Sequence, residues 1–118
     1  MAGKRSRSQG QLEGQVLDAL WDLDAEATSQ QLLETLGEDI ALTSLLTVLS
    51  RLVEKELVTR RSGEGRALLF KAAVSREQHA ADQLLKIIGA TDNPALAFAH
   101  FAKGLDTKAL KALRDSLG

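Results

Sequence analysis

Apolar residues recur three and four positions apart along most of this chain and alternate in one short stretch. The first pattern marks one face of a helix and the second a strand. In residues 10–23, Leu12, Val16, Leu20 and Leu23 lie at i, i+4, i+8 and i+11, flanked by Leu17 and Trp21. The spacing predicts a helix, and its stripe makes Trp21 a core anchor rather than a ligand-stacking residue. An acidic connection runs from Asp22 to Ala27. Thr28-Ser29-Gln30-Gln31 then has the form of a capping box, in which the Thr28 hydroxyl accepts from the Gln31 amide and the Gln31 side chain reaches back. The short helix that follows turns Leu32, Leu33 and Leu36 inward. Gly37 supplies its stop, because glycine takes a positive φ without steric cost. Glu38 to Leu42 make the next turn, and Thr43 is the expected cap of a third helix.

Over residues 43–55, Leu45, Val48, Leu49, Leu52 and Val53 share one helical face. Thr43, Ser44, Thr47, Ser50, Arg51, Glu54 and Lys55 share the other. Alone, this stretch reads as an ordinary amphipathic helix with a solvated face. Its flanks reverse that order. A short capped helix, a connection and a longer helix that opens with hydroxyl side chains have the layout of a helix-turn-helix. The β-prone run Leu57–Ser62, the turn signal Gly63-Glu64-Gly65 and the extended run Arg66–Lys71 predict a hairpin directly after it. A hairpin in that place is the wing of a winged helix. The competing reading is a structural hairpin whose charges guard its edges.

Ser75-Arg76-Glu77-Gln78 is a second capping box, followed by a helix with Leu84, Leu85, Ile87 and Ile88. Asn93-Pro94 opens another helix, with asparagine at the cap and proline at the first helical position. Gly104 breaks it and Asp106 caps the last one. Three helices in the 44 residues from Ser75 to the end cannot bury so much apolar surface among themselves. Leu84, Leu85, Ile88, Leu96, Phe98, Phe101, Leu110, Leu113 and Leu117 are therefore expected to meet a second copy of the chain. Packing back onto the first domain is the alternative. The expected fold is mainly α with a small β-hairpin. A disordered basic arm (1–9) leads to a winged helix-turn-helix DNA-binding domain (10–74) and then a three-helix dimerisation region (75–118).

Composition narrows the function. With 44% hydrophobic and 26% charged residues the chain suits a soluble globular protein. No apolar run approaches the roughly 18–20 residues of a membrane span, and no apolar stretch follows Lys4, Arg5 and Arg7 as a secretory signal requires. A cytoplasmic protein, nucleoid-associated when bound to DNA, with no membrane partner is expected. There are no cysteines, which excludes a disulfide framework, a thiolate metal site and a cysteine nucleophile. His79 and His100 are the only histidines. The pair His79 and Asp82 is weak as a metal site, and His79 is expected on a helix surface. Gly63-Glu64-Gly65 is too short for a phosphate loop. Neither enzymatic activity, nor a metal, nor a cofactor is expected.

A net charge of −1 gives no global drive toward nucleic acid, but the distribution is polarised. Lys4, Arg5 and Arg7 stand without acids in residues 1–7, and residues 13–39 carry acids only. Residues 51–71 hold Arg51, Lys55, Arg60, Arg61, Arg66 and Lys71 against Glu54, Glu56 and Glu64. Hydroxyls close to base edges, with Arg51 and Lys55 reaching further, suit a helix laid into a DNA groove. Arg60, Arg61 and Arg66 surround the wing turn, where a backbone would pass.

Taken in order, these signals resemble the penicillinase-repressor family (BlaI/MecI/CopY). Gly10-x-Leu12-Glu13 leading to Val16-Leu17-Asp18-x-Leu20-Trp21 resembles its start. Leu45-x-Thr47-Val48-Leu49-Ser50-Arg51-Leu52-Val53-x-Lys55 resembles its recognition helix. Gly65-Arg66 with the run to Phe70 looks like its wing. Leu96-Ala97-Phe98-Ala99-His100-Phe101, with Leu110-x-x-Leu113-Arg114-x-x-Leu117, is similar to its dimer helices. The resemblance implies a homodimeric repressor that binds a palindromic operator and releases it when inactivated, with half-sites about one helical turn apart. It implies Ser44, Thr47 and Arg51 as recognition-helix contacts with Thr43 beside them, and Arg60, Arg61 and Arg66 as wing or backbone contacts.

The chain departs from the family in four places. Ser44 stands where the family usually has threonine, and Glu56 where a glycine commonly ends the helix. His100-Phe101 stands where antibiotic-responsive members are cut between asparagine and phenylalanine by a sensor protease. The cysteine motifs of copper-responsive members are missing. A ligand-sensing winged-helix regulator and a winged-helix protein-interaction module are the alternatives. The first needs a pocket lined by converging polar groups, and the second needs no basic reading face.

Overall fold

The computed structural model of the protein describes residues 9–37 and 39–118. The basic segment 1–8 and Glu38 lie outside the described residues. The chain forms α1 (Gln9–Leu23), α2 (Ser29–Leu36), α3 (Leu42–Glu54), β1 (Val58–Ser62), β2 (Leu68–Ala72), α4 (Arg76–Gly89), α5 (Pro94–Gly104) and α6 (Thr107–Leu117). Two compact units divide after His79.

In the first unit the inward stripes meet as their spacing predicts. Leu12, Val16, Leu17 and Leu20 of α1, Leu32 of α2, and Leu45, Val48, Leu49 and Leu52 of α3 are buried together with Ile40, Val58 and Phe70. Burial of each such side chain contributes roughly 1.5–3 kcal/mol. The stripe of α1 stops short of its predicted end. Leu23, in the last turn, is 44% exposed, because α1 ends there and Asp24 turns the chain away with φ +49°.

Local signals set the helix ends. Both halves of the Thr28–Gln31 capping box form: Gln31 N–H donates to Thr28 Oγ1 (3.1 Å) and Thr28 N–H to Gln31 Oε1 (2.8 Å). Gly37 caps α2 at φ +108°. Thr43 does not cap α3. The helix starts at Leu42 with Ala41 as N-cap and no side-chain cap hydrogen bond. Thr43 thus lies inside the first turn, where its carbonyl accepts from the Thr47 hydroxyl (2.9 Å).

The far end of α3 closes in a Schellman motif. Leu57 N–H reaches Leu52 O and Glu56 N–H reaches Val53 O, both at 3.0 Å. The motif requires a left-handed residue at its turn, ordinarily glycine. Here Glu56 occupies it at φ +63°.

β1 and β2 pair antiparallel from Val58↔Ala72 to Ser62↔Leu68. Ala27 adds a one-residue third strand through two hydrogen bonds with Phe70 (2.8 and 2.9 Å). Three helices followed by this hairpin are a winged helix. The turn is longer than its glycines predict. It runs from Gly63 to Ala67, closed by Gly63 N–H to Ala67 O (2.7 Å). Gly65 and Arg66 both sit at φ +67°, so Arg66 belongs to the turn and not to the second strand.

From α4, which begins in the first unit, to the end of the second unit the chain is helical. Ser75 Oγ accepts from Gln78 N–H at the start of α4 (3.0 Å), Asn93 Oδ1 from Leu96 N–H (3.1 Å) and Asp106 Oδ1 from Ala109 N–H (2.7 Å). No residue of α4, α5 or α6 is buried. Among the described residues no helix is long and apolar enough to cross a membrane.

Candidate nucleic-acid interface

The buried stripe of α3 fixes what the helix shows to solvent. Leu45, Val48, Leu49 and Leu52 are at most 1% exposed. The opposite stripe is Thr43, Leu46, Thr47, Ser50 and Glu54, at i, i+3, i+4, i+7 and i+11, and all five are exposed. Ser44, Arg51 and Lys55, at i, i+7 and i+11, run along one flank and are exposed too. The sequence pattern alone assigns Leu46 to neither face. Glu54 puts a carboxylate at the C-terminal end of the outward stripe. The surface compatible with a phosphate backbone is therefore the first two turns, together with Arg51.

Lys55 and Arg61, both expected DNA-binding cations, are engaged by carboxylates. Lys55 Nζ lies 2.8 Å from Glu13 Oε1 of α1. Arg61 makes a two-pronged pair with Glu26, through Nε to Oε2 and Nη2 to Oε1 (2.6 Å for the second). The pair crosses β2, because Ala27 is the strand next to Phe70 and Arg61 stands opposite Leu69. The Arg61 guanidinium holds the Glu26 carboxyl below its ordinary value, and Glu26 in turn raises that of Arg61. Arg60 and Arg66 are exposed and make no ion pair to a described residue. Arg66 stands at the turn and Arg60 on β1.

Trp21 packs its half-buried ring against the core and uses its polar edge as well. Its Nε1–H donates to Val74 O (2.8 Å). The Arg76 guanidinium carbon stands 5.0 Å from the ring centroid, and the His79 ring is 5.7 Å away. Arg76 also reaches Asp22 (3.3 Å) and Asp18 (3.5 Å). This cluster fastens the first turn of α4 to α1. His79 is accordingly half-buried on an aromatic ring rather than out on a helix surface. Beside it lies an open groove of about 440 Å³, lined by Trp21, Asp24, Lys71, Ser75 and Glu77 among others. Among the described residues no cluster of three or more histidines and carboxylates could hold a metal ion.

The apolar residues expected at a dimer contact lie open in the second unit. Leu84, Leu85, Leu96, Phe98, Phe101, Leu113 and Leu117 are exposed, with Leu85 at 67% and Leu117 at 81%. Ile88 and Leu110 are half-buried. The His100–Phe101 bond sits within α5. A protease acts on extended chain, so cleavage there requires α5 to unwind first.

The sequence pattern described as Penicillinase repressor matches residues 9–118. The transcriptional regulator BlaI of Mycobacterium tuberculosis (strain CDC 1551 / Oshkosh) is 29% identical over 113 residues, covering 92% of this chain and 81% of that protein. The same regulator from strain H37Rv matches equally. Among solved structures, wild-type MarR of E. coli in its apo form superposes with a TM-score of 0.49 at 22% identity, over 89% of this chain and 72% of that one. The zinc-responsive MarR family member ZitR of Lactococcus lactis superposes with a TM-score of 0.43 at 15% identity, over 98% and 74%. With the family pattern spanning nearly its whole length, the chain belongs to the penicillinase repressor family, whose members are transcriptional regulators rather than enzymes.

Proposed function

We propose that the protein is a homodimeric repressor that occupies a palindromic operator, each protomer laying α3 into one major groove. The observation that carries this reading is the outward stripe of α3. Hydroxyls and an arginine stand on a helix whose opposite stripe is locked into the core, with a basic wing following it in the chain. Thr43 and Thr47 face the base edges, and Arg51, on the same flank as Ser44, reaches them with its longer side chain. Arg60 and Arg66 contact phosphate from the wing. Lys55 and Arg61 contribute less than their charge suggests, because Glu13 and Glu26 hold them. α4–α6 leave Leu84, Leu85, Leu96, Phe98, Phe101 and Leu117 exposed, and a second copy of the same face covers them. Such a protein works in the cytoplasm, on the chromosome.

The test joins two measurements on the full chain. Sedimentation at micromolar concentration should give a dimer. Enrichment of bound duplexes from a random library should yield a two-fold-symmetric consensus, with half-site centres about 10–10.5 base pairs apart or a multiple of that. A monomer contradicts the role of the apolar arm. Failure to enrich any sequence contradicts operator binding.

A further inference from the structure

Leu46 is the one large aliphatic side chain on the stripe that faces away from the core. It is 39% exposed, whereas its neighbour Leu45 is fully buried. Single exposed leucines are common on protein surfaces and mean nothing by themselves. The position of this one is what matters. It stands three residues after Thr43, beside Thr47 and four before Ser50, so it shares the helical ridge with the side chains placed at the base edges.

The hydroxyl of Thr47 sharpens the point. It donates to the Thr43 carbonyl (2.9 Å), which leaves the Thr47 methyl and the acceptor side of its oxygen for a partner. Leu46 and the Thr47 methyl are two apolar groups that the outward stripe offers. The major-groove edge of B-DNA presents one apolar group, the 5-methyl of thymine. A polar edge placed against Leu46 would lose its water and gain no hydrogen bond.

We propose that Leu46 is a specificity-determining residue that selects a thymine in each half-site through its 5-methyl group. This rests on the placement of α3 in the major groove and adds a base preference to it. Burying one methyl-sized group changes affinity about fourfold, so each half-site should show a discrimination of that order.

The experiment uses the full-length protein and the consensus duplex enriched from a random library. Each thymine of the half-site is replaced in turn by deoxyuridine, which deletes only the 5-methyl. Binding is measured for the parent, Leu46→Ala and Leu46→Gln. The parent should lose about fourfold per half-site at one thymine, and both variants should show no uracil penalty there. Since the side chain is exposed, both variants should keep the parent's helicity, and Leu46→Gln keeps the test valid should the shorter side chain disturb the helix. If no thymine carries a penalty in the parent, or if the variants show the same penalty at the same position, the assignment of Leu46 is overturned while operator binding stands. If the parent enriches no sequence, the placement of α3 in DNA fails and the base preference falls with it.

Discussion

Replacing Glu56 with glycine is expected to stabilise the protein. At φ +63° Glu56 holds the left-handed turn of the Schellman motif that ends α3. For an L-residue with a Cβ this conformation costs about 1–2 kcal/mol. Glycine relieves it but loses about 0.5–1 kcal/mol more backbone entropy on folding. The difference leaves a net gain of about 0.5–1 kcal/mol. The Glu56 carboxylate also lies at the negative end of the α3 dipole, which adds a few tenths of a kcal/mol of strain to the native state. Glu56→Ala removes that charge and keeps the backbone cost, so the gap between the glycine and alanine variants isolates the turn. Urea unfolding at one fixed protein concentration reads it, because any dimer couples stability to concentration. With an m-value of about 1–3 kcal/mol/M, the glycine midpoint should lie roughly 0.2–1 M above that of alanine at unchanged m. A glycine variant no more stable than the alanine variant would refute the left-handed assignment.

Glu26→Gln tests the pair on the sheet. The Arg61 guanidinium lowers the Glu26 carboxyl below its ordinary 4.5, so its contribution is complete above about that pH. It is lost as pH falls through the lowered native value. Acid unfolding of the parent should show this loss below pH 4.5 and Glu26→Gln should lack it. The same variant frees Arg61, and the slope of log K against log salt should steepen by about 0.9 for one added phosphate contact. Trp21→Phe removes the donor to Val74 O and should cost about 1 kcal/mol in urea unfolding. Thr28→Ala breaks the capping box of α2 and should cost about 1 kcal/mol in the same assay.

Signals confined to a few consecutive residues were legible in the sequence. The Thr28–Gln31 box, the stop at Gly37, the caps at Asn93 and Asp106 and the inward stripe of α3 all appear where their spacing places them. The position of Glu56 was legible only against the family's usual glycine, and the structure supplies the reason, a turn that needs positive φ. What stayed hidden is long-range. Nothing local marks Glu13 as the partner of Lys55, 42 residues away, or Glu26 as that of Arg61, 35 residues away. Both pairs exist because α1 and the Ala27 strand pack beside α3 and β2, and both shrink the set of cations left for DNA. Trp21 was read from its apolar stripe alone, so the indole N–H and its contacts with Arg76 and His79 were missed. The cap of α3 was set two residues late, since a hydroxyl at Thr43 looked like a cap while Ala41 does that work through its backbone. Leu46 was passed over because an apolar residue outside the inward stripe carries no signal until its exposure is known.

The placement of α3 is tested most directly by comparing the parent with Thr47→Ala and Arg51→Ala on the enriched operator and on a scrambled duplex at the same salt. A well-placed bidentate base contact is worth about 1–3 kcal/mol, so Arg51→Ala should weaken operator binding roughly 5- to 150-fold per half-site. Thr47→Ala should weaken operator binding by a smaller factor and leave scrambled-duplex binding unchanged. Both variants should narrow the ratio between operator and scrambled duplex. If both keep the parent's ratio, α3 is not the helix that reads the operator.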